Sequence, residues 1–516
     1  MAAGDSAEPG EVAAPDSGRV PEPPPPGALG GNGVNGEADS STAAETTVVT
    51  VASVADGGPP TSPSPPPDDG KLPAQRARRA YSNVDPITFQ RLPGSLLGAS
   101  ALVTGTTVGA GVLAMPAVTA SSGWAPSSAA LVGVWALAAI EALLLAETAV
   151  NTQCALGRPS AVSILSMARA TLGDAGAAAT SAAYALKHLS VLTAYMAQGG
   201  TILAEAASRA LGGSGLVTPA VGAPIFAVTL GAALYWASDA TVAAVNNALV
   251  VGTIACFGGL VATTSSHYVP GTLGAGAHWG LVIPDALPVL LVSLVYHNVV
   301  PFVVSYLEGD RFKIRVAILG GSALPLLLFV VWNAVILGNS DVQATAAVAA
   351  AADTAGPLFD PVAMLRNSGG ATGGLVTGFS LLAVITSVVG VVSGMVDFVN
   401  DGFLSASVLT NEQVRRYAWA AYIVTLLPPT ALAVAAPDIF FGAVRVAGVF
   451  GVSILFGILP CAMAWRLRYG GGDVLPPAYP PLVPGGRALL GAMMVGPAAL
   501  VVSEVLRNVG ELLHSS

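Results

Sequence analysis

The stretch Gly105-Thr-Thr-Val-Gly109-Ala-Gly111-Val-Leu-Ala-Met-Pro116 interrupts a long apolar run and is the part of the chain best equipped to hold something polar. Glycine and proline at that density unwind a helix, yet the flanks are apolar enough to cross a bilayer. Non-helical backbone at that depth is tolerated only where protein or a water-filled cavity surrounds it. Gly105, Gly109 and Gly111 let a ligand approach the backbone without a side chain in the way, and Thr106 and Thr107 add hydroxyls. A second interruption, Val295-Tyr-His297-Asn298-Val-Val-Pro301, sets an imidazole and an amide inside another apolar run, where Pro301 removes a helical hydrogen bond. Tyr184, His188 and Tyr195 fall at i, i+4 and i+11, one helix face. That face either stacks on a ring or packs against neighbouring helices with its hydroxyls satisfied. Lys187 sits beside it with an open role; a buried lysine sheds its proton or finds a carboxylate, and Glu141 is the first partner to test. No Ser/His/Asp, paired-Asp or His-Glu-x-x-His constellation accompanies these residues, which argues against an enzyme, and no metal-ligand cluster is visible.

The elements that must position these groups are membrane helices. Of 516 residues, 53% are hydrophobic and only 10% charged, with a mean hydropathy of +0.68. Soluble domains are about one-quarter charged. The net charge of −9 comes from the N-terminal segment, where residues 1–70 hold eleven acidic residues and one arginine, Arg19. Residues 1–80, rich in Pro, Ala, Gly and Ser, lack the apolar content to offset ordering and read as a disordered acidic tail. It has no secretory h-region and is more acidic than an ordinary transit peptide. The membrane domain is expected over residues 92–510. Nothing suggests nucleic-acid binding. Cys154, Cys256 and Cys461 are far apart and read as small apolar fillers.

Eleven apolar stretches are long enough to cross a core of about 30 Å: Leu96–Ala120, Pro126–Val150, Ala175–Ala204, Pro219–Ala237, Thr241–Thr263, Pro284–Leu307, Val316–Leu337, Leu375–Val399, Tyr417–Ala436, Ile439–Leu467 and Leu489–Leu506. Fifteen lysines and arginines fall on the side of the N-terminus and three (Arg209, Arg366, Arg507) on the other, which makes the N-terminal side cytoplasmic, or stromal in a plastid envelope. Lys187 and Arg445 lie within spans, and Arg445 is expected to snorkel or pair. The first and sixth spans are both broken, five spans apart. Because five is odd, spans 1–5 and 6–10 run in opposite senses, the pattern of inverted repeats whose discontinuous helices meet at the bilayer centre.

Several of these motifs resemble those of the tryptophan/tyrosine permeases, the aromatic branch of the hydroxy and aromatic amino acid permeases. The Gly105–Pro116 stretch is similar to that family's first-helix signature. Tyr296-His-Asn-Val-Val-Pro301 followed by Tyr306-Leu-Glu-Gly-Asp-Arg311 is similar to its sixth helix and the loop beyond. Ala194-Tyr195, Phe379-Ser-Leu-Leu-Ala, Asp397-Phe398, Leu426-Leu-Pro-Pro429 and Ala447-Gly-Val-Phe through Pro460 follow in order. The resemblance covers Leu96 to Leu506 and implies the fold of the amino acid–polyamine–organocation superfamily. That is an all-α polytopic protein of about eleven transmembrane helices, two inverted five-helix repeats with helices 1 and 6 broken, plus one peripheral helix.

On this reading a zwitterionic amino acid places its carboxylate on N–H groups and the positive dipole end at the first break, and its ammonium on carbonyls freed at the second. The implied substrate-binding set is Gly105, Thr106, Thr107, Gly109, Gly111, Tyr184, His188, Tyr195, His297 and Asn298, with the side-chain pocket between spans 1, 3, 6, 8 and 10. The resemblance implies proton symport with no cofactor, and His297, His188, Glu141 and Asp397 are the ionisable candidates. Asp397 and Asp401 lie at the end of span 8, where reaching solvent or pairing with Arg311–Arg315 is the alternative. Thr386 and Ser387 are the hydroxyls that would hold sodium instead. The expected function is secondary active transport of tyrosine or tryptophan; a non-transporting sensor of the same fold, or a carrier of other neutral or hydroxy amino acids, are the alternatives. The partners are the amino acid and the bilayer, in a plastid inner envelope or a plasma or other cell membrane. The oligomeric state stays open.

Overall fold

The computed structural model describes residues 94–109, 111–157, 162–212, 216–269, 271, 273, 277–340, 342, 360–405, 410–471 and 479–515. The acidic tail over residues 1–80 lies outside them. The described helices are α1 (Leu96–Thr107), α2 (Gly111–Thr119), α3 (Trp124–Leu156), α4 (Ile164–Ala210), α5 (Pro219–Trp236), α6 (Asp239–Thr264), α7 (Leu287–Ser293), α8 (Val300–Tyr306), α9 (Arg311–Leu337), α10 (Pro361–Asn367), α11 (Gly370–Ser405), α12 (Asn411–Arg416), α13 (Ala418–Ala435), α14 (Phe440–Val446), α15 (Leu459–Tyr469) and α16 (Arg487–Ser515). A π-helical stretch, Ala447–Ile458, joins α14 to α15 into one long element.

All eleven expected spans fall on helices. Among the described residues nine helices are long and apolar enough to cross a membrane, ten when α1 and α2 count as one bent span. The expected third span lies on α4, which is too polar to pass that test. It is the longest helix, at 47 residues, and turns at Gly173, whose φ of 73° favours glycine. Ile164–Leu172 forms a separate short helical stretch before that turn.

Helix starts follow local chemistry. Ser95, Ser163, Thr218 and Ser238 each accept a hydrogen bond from a first-turn N–H, and Asp310 accepts from Phe312 and Lys313. These caps satisfy donors that lipid would leave bare.

Burial separates the helices into centre and periphery. Most residues in the apolar stretches of Phe440–Tyr469 and Leu287–Tyr306 are buried, whereas few of those in Ala244–Thr264 are, and that helix presents its apolar surface outward. Two apolar clusters fill the interior. One contains Val112–Met115 of α2 and Val289–Leu290 of α7; the other contains Ala99 and Val103 of α1 and Val300–Val304 of α8. Each broken span therefore passes from one cluster to the other at its break, which puts both interruptions on the boundary between two dry cores.

Candidate functional site

The first break is shorter than its glycine content suggests. α1 runs through Thr107, Val108 is extended, and α2 restarts at Gly111 with its axis turned by 56°. Gly105, Thr106 and Thr107 thus lie on the helix and not in the unwound segment. The Thr106 and Thr107 hydroxyls donate to the carbonyls of Leu102 and Val103, one turn back. A lone glycine costs a helix only about 1 kcal/mol against alanine, too little to end a helix whose neighbours still close their bonds. The close contacts come from the other two glycines. A Cβ on Gly109 would lie 3.1 Å from Ser387 Oγ, and one on Gly111 would lie 2.7 Å from Ser293 Oγ. Gly111 opens α2 and Ser293 closes α7, so the two breaks touch.

At the second break α7 ends at Ser293 and the chain resumes as a 3-10 turn, His297–Val299, leading into α8. Pro301 falls in the first turn of α8, where a missing N–H costs nothing; the bond it was expected to remove is one that no helix start makes. The two polar side chains diverge. His297 is buried and does not face a cavity: its Nε2 is 3.1 Å from the Ala138 carbonyl oxygen and 4.0 Å from Glu141 Oε2. Its ring stacks on Tyr296 and Phe456. Asn298 instead lines a cleft together with Tyr184, Pro301, Gly394, Phe398 and Asp401. Its Oδ1 is buried and has no hydrogen-bond partner among the described residues.

The aromatic face of span 3 is divided in the same way. Tyr184 lines the cleft, donates to the Gly394 carbonyl at 3.3 Å and packs on Phe398 at 4.8 Å. His188 is turned back on its own helix: it stacks on Tyr184 at 3.8 Å and its Nδ1 is 2.8 Å from the Tyr184 carbonyl oxygen. Tyr195 is buried and hydrogen-bonded to Ser387, which places it beside Gly109. Gly109, Tyr195 and Ser387 therefore meet at the first break. Thr386 and Ser387 donate to the Leu382 and Ala383 carbonyls of their own helix.

Lys187 does not pair with Glu141; it makes no ion pair among the described residues, and Glu141 lies nearest to His297. Arg311 and Arg315 donate to the carbonyls of Pro481 and Leu482, while Asp397 and Asp401 lie within electrostatic reach of Tyr184. Arg445 pairs with Glu504 through two nitrogens, as a span-embedded arginine should.

Three features escaped the sequence reading. Trp332 in span 7 donates to the Val112 carbonyl at 3.0 Å and ties the first break to α9, and Asn333 bonds both Thr119 and Ser127. A tryptophan and an asparagine at mid-span were the available signal. At the end of the bundle carrying most of the basic residues, buried Glu147 holds Arg468 through two bonds and accepts from the Leu482 N–H. Asn151 accepts from the Tyr479 N–H and the Tyr479 hydroxyl donates to Gly309, so residues 479–483 strap that end. At the opposite end buried Arg366 grips Glu205 through two nitrogens. Outside the spans, Asp310 is held below the usual carboxylate range by the Lys313 and Phe312 N–H groups that it caps.

Two abutting helix breaks beside an aromatic cleft, in an all-helical membrane bundle, now stand next to a family match over nearly all the described residues. The model of the tryptophan/tyrosine permease family matches residues 93–503. The chain belongs to this family. It is 28% identical over 413 residues to the tyrosine-specific transport system 2 of Haemophilus influenzae, covering 80% of this chain and 96% of that protein. It is 25% identical over 431 residues to the tryptophan-specific transport protein of the same organism, covering 82% and 98%. A glutamine transporter of Aliivibrio fischeri is 23% identical over 382 residues, covering 72% and 89%. These permeases are transporters, and the present chain is a multi-pass membrane protein of their family.

Proposed function

We propose that this permease carries tyrosine or tryptophan across its membrane together with protons, by alternating access around the paired breaks. The observation that carries the reading is the contact of Gly111, which opens α2, with Ser293, which closes α7. A helix start offers N–H groups to a carboxylate and a helix end offers carbonyls to an ammonium. Side by side, they suit a zwitterion whose two charges are a few ångströms apart. Tyr184 and Phe398 wall the adjoining cleft with rings, and stacking favours an aromatic side chain. The relatives named for tyrosine and tryptophan agree with that preference. The basic residues put the N-terminal tail on the cytoplasmic side, or the stromal side if the membrane is a plastid inner envelope.

The test is uptake of radiolabelled tyrosine into proteoliposomes under an imposed pH gradient, with competition by all twenty amino acids and with sodium present or absent. Accumulation that follows the pH gradient and is blocked best by aromatic amino acids supports the proposal. Binding without flux points to a sensor, sodium dependence points to Thr386 and Ser387, and preferential competition by glutamine or serine overturns the aromatic assignment.

A further inference from the structure

Three ionisable side chains that the cleft does not use gather in the dry middle of the bundle. Glu141 on α3, His297 at the second break and Lys187 on α4 are each 5% exposed or less. The π-helical stretch of span 10 closes over all three. A Cβ on its Gly451 would lie 2.5 Å from Lys187 Cβ, a Cβ on its Gly457 would lie 3.6 Å from Glu141 Oε1, and its Phe456 ring stacks on His297 at 4.7 Å. A π-helix is rare and concentrates at functional sites. Here it offers small residues to two of the polar groups and a ring to the third.

Hydrogen bonding fixes where a proton can go. The Ala138 carbonyl can only accept, so His297 Nε2 carries the hydrogen that points to it. Nδ1 of the neutral ring is then a bare acceptor, and among the described residues it has no partner; nor has Glu141 Oε1. Buried polar atoms are rarely left unpaired without a use. The other titratable groups facing the set are Tyr296 and Cys461 toward Glu141, and His188 toward Lys187. The Lys187 ammonium is within electrostatic reach of His297. With Lys187 charged and Glu141 ionised the set is neutral. A lone carboxylate at this depth is costly, which favours the protonated pair. One further proton, on His297 Nδ1 or on the carboxyl group 4.0 Å from the ring, gives the loaded state. His297 begins the turn that restarts span 6, and its carbonyl accepts the Val300 N–H, so loading acts directly on a break.

The geometry points to the Glu141–His297 pair as the site that binds the coupled proton, with Lys187 as a positioning residue packed under the same π-helical wall. This rests on the proton-coupled transport reading above. The test compares two assays on the same proteoliposomes: accumulation of radiolabelled tyrosine under an inside-alkaline gradient, and tyrosine counterflow at equal pH. Glu141→Gln and His297→Gln should lose gradient-driven accumulation by about tenfold or more, as a coupling free energy of ordinary size requires, while counterflow stays within about twofold. Lys187→Met should keep counterflow and move the pH profile of uptake upward, because a nearby positive charge opposes loading; a purely structural role would leave that profile in place. Glu141 and His297 variants that accumulate tyrosine like the wild type overturn the assignment. So does loss of counterflow in both, Glu141→Asp included, which would make the pair a packing element. A wild-type protein that shows neither activity, or is driven by sodium alone, removes the transport reading itself and the proton site with it.

Discussion

The two breaks use different parts of the chain. At the first, Val108 and Gly109 are the described residues that leave the helix, and the close contacts there involve small groups: Gly109 against Ser387, Gly111 against Ser293. At the second, the turn carries large polar side chains that part company, His297 into the dry set with Glu141 and Asn298 into the cleft. The first break carries no carboxylate, histidine or lysine, and what surrounds it is backbone together with the Ser387 and Tyr195 hydroxyls. The second contains a group able to take a proton. On the proposed function, recognition and coupling fall on neighbouring but separate surfaces, in contact where α2 meets α7.

That division is broken most directly at Gly109. Gly109→Val should reduce tyrosine uptake by about a hundredfold, the scale of a misplaced substrate, while expression and membrane insertion stay near wild type. Uptake by this variant at the wild-type rate would remove the first break from the site. Gly111→Ala tests the contact between the breaks. Its Cβ would fall 2.7 Å from Ser293 Oγ, and uptake should drop by about tenfold, equivalent to a modest overpacking cost; Ser293→Gly should restore part of it. A Gly111→Ala variant with full activity would mean that the breaks need not touch. Tyr184→Phe sharpens the picture of the cleft. It removes one long hydrogen bond to Gly394 but keeps the ring, so KM for tyrosine should change by about two- to threefold at most, whereas Tyr184→Ala should raise it further. The smallest effect is expected just past the second break, at Asp310. Its lowered titration range means the cap contributes above the usual carboxylate pKa and is lost as pH falls below about 4. Thermal unfolding in detergent should therefore show a slight acid-dependent drop that Asp310→Ala lacks.

The helical class, the helical segments that hold the expected spans and the location of both interruptions were legible because each depends on local composition. Apolar length decides what can cross a bilayer, and Gly, Pro and buried polar residues mark where a helix gives way. The extent of the first break was not legible, since Gly105 and the two threonines stay within α1 and a glycine count does not register which residues continue the backbone ladder. Helical spacing correctly put Tyr184, His188 and Tyr195 on one element, but not the cleft beside the first, the self-satisfied bond of the second or the Ser387 contact of the third. Glu141 was paired with Lys187 in expectation and lies beside His297 in the fold.

From sequence alone came the kind of molecule, its membrane-crossing elements, the side expected to face the cytoplasm or stroma and the two places where the backbone is free to bind. Periodicity orients a residue on its own helix and says nothing of which neighbour that face will meet. Only tertiary packing brought together Gly111 and Ser293, or Glu141, His297 and the π-helical wall of span 10, because those contacts join segments far apart in the chain. The strap of residues 479–483 on Glu147, Asn151, Arg311 and Arg315 has the same origin.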